Sequence, residues 1–188
     1  VGVGNVGKRL LDQINQQQQY LSEQLRMQVR IVGIANSKKM YFNEEGVDVS
    51  NWKFLLDNGL DQTPESLVET IVSKNLRNSV FVDITASSTI ASLYESLLRK
   101  SIAVVACNKV AASSAYHHYK KLKTLAREFN TSFLFETNVG AGLPVIGTLN
   151  DLVKSGDHIH RIEAVLSGTL NFVFNNYDGS LPFAEVVK

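Results

Sequence analysis

Short β-branched runs alternate along this chain with longer stretches whose apolar positions recur every three or four residues. Val1–Val3 reads as a first strand that turns through glycines into a helix ending near Arg26, with Leu10, Leu11, Ile14 and Leu21 at roughly helical spacing. Residues 29–35, "VRIVGIA", read as a second strand, followed by an irregular polar loop, residues 36–52, with a single turn of helix. A helix over residues 64–75 has Thr63 as N-cap, Pro64 in its first turn and Glu65 near the positive end of its dipole. Strands over 79–85, 102–108 and 132–136 then alternate with helices over 90–100 and 113–129. The continuous apolar runs "VFV" and "AVVA" suit a sheet covered on both faces. This is the βαβα rhythm of an α/β fold with a doubly wound parallel sheet.

After Glu136 the pattern changes. A glycine-rich loop leads to a helix over 143–154 stopped by Gly156, and "HIHRIEAVLSG" alternates as a strand with Ile159, Ile162 and Val165 facing inward. A boundary near Thr137 therefore separates a domain of residues 1–136 from the beginning of a second, mixed α+β domain at 137–188.

Composition narrows the class without choosing a chemistry. Nineteen basic against 18 acidic residues leave a formal charge of +1, which gives no electrostatic footprint for nucleic acid or an anionic membrane. No apolar run approaches the ~18 residues of a membrane span. A single cysteine, Cys107, forms no internal disulfide and fits a reducing, cytoplasmic setting.

Gly2-x-Gly4-x-x-Gly7 has the spacing of a dinucleotide-binding turn, and its place between a strand and a helix is the context a Rossmann-like site requires. Gly2 allows the tight turn, Gly4 lets backbone approach a pyrophosphate, and Gly7 brings helix and strand together. The helix N-terminus adds free N–H groups and partial positive charge. NAD-preferring sites place a carboxylate at the end of the second strand, but here Asn36, Ser37, Lys38 and Lys39 follow it, a set that favours the 2′-phosphate of NADP(H). Thr85, Ala86 and Ser87 fall at the carboxyl edge of the third strand, where they contact ribose or nicotinamide or else cap the next helix. Lys109 follows the fourth strand and either takes a supporting catalytic role at the cleft, steering substrate charge or stabilising a developing alkoxide, or is an ordinary loop lysine. Cys107 reads as a small buried hydrophobe, with the nucleophile of a thiol-dependent semialdehyde dehydrogenase as the rival. Ser167-Gly168-Thr169 opens a helix whose N–H groups suit a substrate carboxylate, and Glu136 suits a cation among backbone carbonyls.

"FETNVGAGLPVIGTLNDLVKSGD" and "RIEAVLSGTLNFVF", together with "GIANSK", "VDITAS" and "NK", resemble homoserine dehydrogenase of the type fused behind an aspartokinase, over essentially the whole chain. The resemblance implies NAD(P)-linked interconversion of aspartate semialdehyde and homoserine, on the route to threonine and methionine. It assigns the nucleotide to Gly2, Gly4, Asn5, Val6, Gly7, Ala35, Asn36, Ser37, Thr85, Ser87 and Lys109. It assigns a monovalent cation, Na+ or K+, to Glu136 and the carbonyls of Val139, Ala141 and Leu143, and substrate to Gly168 and Thr169. Residues 137–188 would then begin the substrate and dimerisation domain, and the intact enzyme would be a homo-oligomer carrying a covalently linked aspartokinase. The family's general acid/base lysine comes from a segment after the helix at Lys188, so the expectation is a portion of an enzyme that binds cofactor without turnover. The location implied is cytoplasm or plastid. A non-catalytic NADP-binding or regulatory module remains the alternative.

Overall fold

The computed structural model describes residues 1–187, and the described residues divide into two compact units, residues 1–135 and 136–187. In the first unit α1 (Asn5–Gln24) leads to a hairpin of β1 (Gly33–Ala35) and β2 (Lys39–Phe42). Next come α2 (Trp52–Asp57), β3 (Leu60–Asp61) and α3 (Pro64–Lys74). The parallel portion follows as β4 (Val80–Asp83), α4 (Ser88–Ser92), α5 (Tyr94–Leu98), β5 (Ala103–Ala106), α6 (Val110–Ser113), α7 (Tyr116–Glu128) and β6 (Phe133–Leu134).

Two three-stranded sheets result, an antiparallel β1-β2-β3 and a parallel β4-β5-β6. The first two residues join them. Val1 N donates to the Val82 carbonyl (2.6 Å), and Ile84 N–H donates to the Val1 carbonyl (2.9 Å), the bonding of a parallel ladder. On the other side Gly2 N–H donates to the Ala35 carbonyl (2.9 Å). The chain thus leaves its opening segment through α1 to β1 on one side and returns to β4 on the other. That reversal makes a crevice at the carboxyl ends of the strands, the switch point at which open α/β sheets bind ligands.

The core explains the rigidity of this frame. Leu97, Leu98, Val104 and Leu122 have no exposed surface, and Tyr94 and Phe133 pack ring to ring at 5.8 Å. Each such aliphatic side chain contributes roughly 1.5–3 kcal/mol on burial. A smaller cluster of Leu11, Ile34, Val47 and Leu56 holds α1 and α2 with β1.

Several predicted elements change. The polar stretch after residue 35 is an ordered hairpin: the Asn36 side chain accepts from the Lys38 and Lys39 N–H groups (2.8 and 2.7 Å), turning the chain so that β2 pairs with β1. The helix expected over 90–100 breaks at Leu93 into α4 and α5, and Ser114, in extended backbone, separates α6 from α7. Thr63 does cap α3, in a reciprocal box with Ser66.

The second unit holds α8 (Val145–Lys154), α9 (Gly168–Asn176) and α10 (Phe183–Val186). Phe183 stacks on Phe174 (5.8 Å) and meets Tyr177 edge-on (5.2 Å). The strand predicted in "HIHRIEAVLSG" is not formed: Ile159, Ile162 and Val165 are exposed, and this unit has no strand among the described residues. An alternating segment becomes a strand only where a partner supplies the ladder, and no described segment pairs with it.

Candidate functional site

A cleft of about 800 Å³ opens at the switch point. Its walls are the opening turn (Val1 to Gly4), the end of β1 (Asn36, Ser37), α2 (Trp52, Lys53, Leu56, Asp57), and the β4–α4 loop (Thr85, Ala86, Ser87) with Thr89 and Ile90. Gln62 and Pro64 complete it.

The three glycines have different duties here. Gly2 has φ +90°, and a Cβ on it would meet the Ile84 carbonyl oxygen at 2.7 Å. A Cβ on Gly7 would lie 2.0 Å from the Gly2 carbonyl oxygen, so the close approach of α1 to the opening segment forbids any side chain there. Gly4 is another matter. It is the N-cap of α1 with an ordinary φ of −75°, and a Cβ would meet nothing within 4 Å. Nothing within the protein demands glycine at this position; it leaves open space over the helix N-terminus.

That terminus is uncapped by any side chain, and its first turn carries no acidic residue. The first helical bond is from Lys8 N–H to the Gly4 carbonyl, so the N–H groups of Asn5, Val6 and Gly7 precede the helical ladder. With the dipole of a 20-residue helix behind them, they form an anion cradle. The open space at Gly4 and this donor set fit a dinucleotide pyrophosphate.

The β4–α4 loop is built on a buried carboxylate. Asp83 ends β4 with no exposed surface. Its Oδ1 accepts from Thr85 N–H (2.8 Å), and its Oδ2 accepts from the Tyr94 hydroxyl (2.5 Å) and Asn108 Nδ2 (2.9 Å). Thr85 Oγ1 then accepts from Ser87 N–H (3.1 Å), and Ser87 Oγ caps α4 through Ile90 N–H (3.3 Å). Burial, and next the bond to Asp83, pushes the Tyr94 hydroxyl far above the usual tyrosine range. The sequence marks "DITASS" and "NK" as strand ends, but not that Asp83, Tyr94 and Asn108 converge. Tyr94 lies in a helix and carries no local signal of this duty.

Of the predicted nucleotide residues, Gly2, Gly4, Asn36, Ser37, Thr85, Ala86 and Ser87 line the cleft. Asn5, Val6 and Gly7 form the helix start beside it. Ala35 is buried and contributes its carbonyl to Gly2. Lys38 is exposed outside the lining, and Lys39 pairs with Asp61 (3.0 Å). The cation that does line the cleft is Lys53, with Trp52 beside it and Asp57 one turn on. Sequence reasoning missed these because it placed Trp52 at the end of a polar loop and assigned no element to residues 53–63, where the rest of α2 lies. Lys109 is exposed at the start of α6, next to buried Asn108 and outside the cleft lining. Cys107 is half-buried, also outside the lining, and its N–H donates to the Asp83 carbonyl (2.8 Å).

In the second unit, Glu136 directs its carboxylate at the N-terminus of α8, accepting from Ile146 N–H (2.8 Å) and Gly147 N–H (2.6 Å). The Leu143 carbonyl accepts from Val145 N–H (2.9 Å), and Ala141 sits at φ +51° in the glycine loop with Val139 before it. Gly168 and Thr169 begin α9 behind the Ser167 cap, whose Oγ accepts from Leu170 N–H (3.2 Å). No cluster of three or more His, Cys, Asp or Glu side chains suited to a metal ion occurs among the described residues.

Comparison with known proteins agrees with this geometry. A family model described as "Homoserine dehydrogenase, NAD binding domain" matches residues 2–136, and one described as "Homoserine dehydrogenase" matches residues 144–188. A chloroplastic bifunctional aspartokinase/homoserine dehydrogenase 2 of Arabidopsis thaliana is 42% identical over the whole chain. A bifunctional aspartokinase/homoserine dehydrogenase of Haemophilus influenzae is 37% identical over 99% of it. The chain spans only 21% and 23% of those relatives' lengths. Among solved structures, a Candida auris protein of unknown function matches all of the chain and 52% of its own, with TM-score 0.77 and 28% identity. A hyperthermophilic archaeal homoserine dehydrogenase in complex with NADPH shares the fold at TM-score 0.78 and 24% identity, over 99% of this chain and 57% of its own.

Proposed function

Since the chain belongs to the homoserine dehydrogenase family, an oxidoreductase family, we propose that it supplies the NADP(H)-binding unit and the start of the substrate unit of a homoserine dehydrogenase. The reaction is reduction of the C4 aldehyde of aspartate semialdehyde to the alcohol of homoserine, and its reverse. A bound nicotinamide supplies the hydride.

This chain's own residues hold and orient. The open space at Gly4 over the uncapped N-terminus of α1 is the observation that carries the reading. There the N–H groups of Asn5, Val6 and Gly7 take the pyrophosphate charge. Asn36, Ser37 and Lys53 take the ribose side, where no carboxylate ends β1 and Lys53 suits a 2′-phosphate. Thr85, Ala86 and Ser87 wall the nicotinamide side. Lys109 draws the substrate's negative charge towards that wall. Within the second unit, Gly168 and Thr169 at the start of α9 are the donors suited to a substrate carboxylate. Lone pairs of Glu136 beyond the two used on α8 hold Na+ or K+ with the carbonyls of Val139, Ala141 and Leu143. Fusion to an aspartokinase follows the bifunctional relatives, and the compartment follows either the chloroplastic or the bacterial ones. No helix among the described residues is long and apolar enough to cross a membrane.

Trp52, the chain's single tryptophan, lines the cleft and reports occupancy by fluorescence. NADPH is expected to quench it with a dissociation constant at least about tenfold below that of NADH, a difference of about 1.4 kcal/mol. Equal affinities overturn the preference, and absence of binding by either overturns the site. Homoserine-dependent reduction of NADP+ by the longer protein that carries this segment tests the reaction.

A further inference from the structure

Asn108 is 2% exposed, and its side chain reaches two loops at once. Its Nδ2 donates to Asp83 Oδ2 (2.9 Å) and to the Ser87 carbonyl (2.9 Å), with Thr85 Oγ1 at 3.4 Å. Its Oδ1 accepts from Val110 N–H (3.1 Å), the first residue of α6. One amide therefore ties the cleft wall at residues 85–87 to the loop that presents Lys109.

We propose that Asn108, seated on Asp83, is a positioning residue that fixes the Thr85–Ser87 wall of the cleft relative to Lys109. The inference rests on the cofactor reading of that cleft. Burying a carboxylate and an amide costs desolvation that an apolar pair of the same volume would avoid. The gain is directional. A carboxylate with three donors and an amide bonded at both ends hold a geometry that non-directional apolar contacts would leave free to slide. β4 and β5 already fix the two strand ends through the register Asp83↔Ala106. What the ladder does not fix is the course of each loop beyond its strand, and Asn108 spans that gap.

The test compares two variants of the same buried network. Asn108→Ala removes the tie between the loops, whereas Tyr94→Phe removes a donor to Asp83 and touches neither loop. NADPH affinity by Trp52 fluorescence, melting temperature and amide hydrogen exchange are measured on each. Asn108→Ala is expected to weaken NADPH about tenfold and to speed exchange of the Ser87, Ile90 and Val110 amides, with the β4–β5 ladder still protected. Tyr94→Phe is expected to lower the melting temperature and leave affinity and those amides unchanged. If Asn108→Ala does not fold, Asn108→Ser, which keeps one polar group, replaces it with the same expectations. Changes that merely follow the melting temperature in both variants, or an unchanged loop in the Asn108 variant, overturn the proposal. Should the unsubstituted protein bind no NADPH, the cofactor reading fails, and the exchange pattern alone decides whether Asn108 ties the loops.

Discussion

Gly4 and Gly7 stand three residues apart in one motif and answer to different forces. Gly7→Ala places a methyl against the Gly2 carbonyl oxygen, a backbone atom that cannot yield. Thermal or urea unfolding should show a loss of about 1–3 kcal/mol or more. Gly4→Ala meets only open space, so its melting temperature should match the unsubstituted protein's while NADPH affinity falls about tenfold. Equal affinity in Gly4→Ala would remove the pyrophosphate from that position. Tyr94 carries a different kind of information. Its hydroxyl is held far above the ordinary tyrosine range, first by burial and then by Asp83, so above pH ~10 the unfolded chain ionises while the folded one keeps the proton. Its contribution is full below that pH and is lost as pH rises. Tyr94→Phe should therefore cost about 1–2 kcal/mol at neutral pH, with the gap to the unsubstituted protein narrowing in melting curves taken above pH ~10.

At the scale of elements, helix termini are where this chain concentrates its polar chemistry. Thr63 and Ser66 close the start of α3 reciprocally, Ser87 closes α4 and Ser167 closes α9, while α1 is left uncapped at the cleft. α8 borrows its anion from Glu136, ten residues upstream of Ile146. That contact gives Glu136 a structural duty compatible with a cation on its remaining lone pairs, and the two are separable. Melting in KCl, NaCl and choline chloride at equal ionic strength should favour the alkali cations in the unsubstituted protein and show no preference in Glu136→Gln. Identical melting in all three salts would leave Glu136 as the α8 cap alone. The lesson for sequence reading is also local. Asn36 and Ser37 were legible as strand-end residues beside a cofactor, and they do line the cleft. The same Asn36 also turns β1 into β2, and that turn was hidden because an asparagine side chain bonding two residues on looks, in sequence, like any polar loop residue.

For the whole molecule, the division into two units separates tasks. Every residue lining the cleft lies within Val1–Phe135. A protein of residues 1–135 is therefore expected to bind NADPH within about twofold of the full chain's affinity, a difference below about 0.5 kcal/mol, by the same fluorescence titration. A large loss would mean that residues after 135 contribute to the site. The exposed alternating segment at 158–166 belongs to the same division of labour: its apolar residues form no ladder within the described chain, as a strand pattern without a partner must.

The sequence by itself determined the parallel strands β4, β5 and β6, the helical character of the stretches between them but not their breaks at Leu93 and Ser114, the caps of α3 and α9, and the glycine turn. Each of these depends on periodicity or on residues a few positions apart, which a linear reading holds in full. Tertiary structure alone decided the rest. It joined two sheets through residues 1 and 2, left Gly4 facing open space while closing Gly7, brought Lys53 rather than Lys39 to the cleft, and assembled Asp83, Tyr94 and Asn108 around one buried carboxylate. Those outcomes turn on which backbone lies beside which after the crossovers close, and contacts between residues 11 to 83 positions apart leave no periodic trace in the chain.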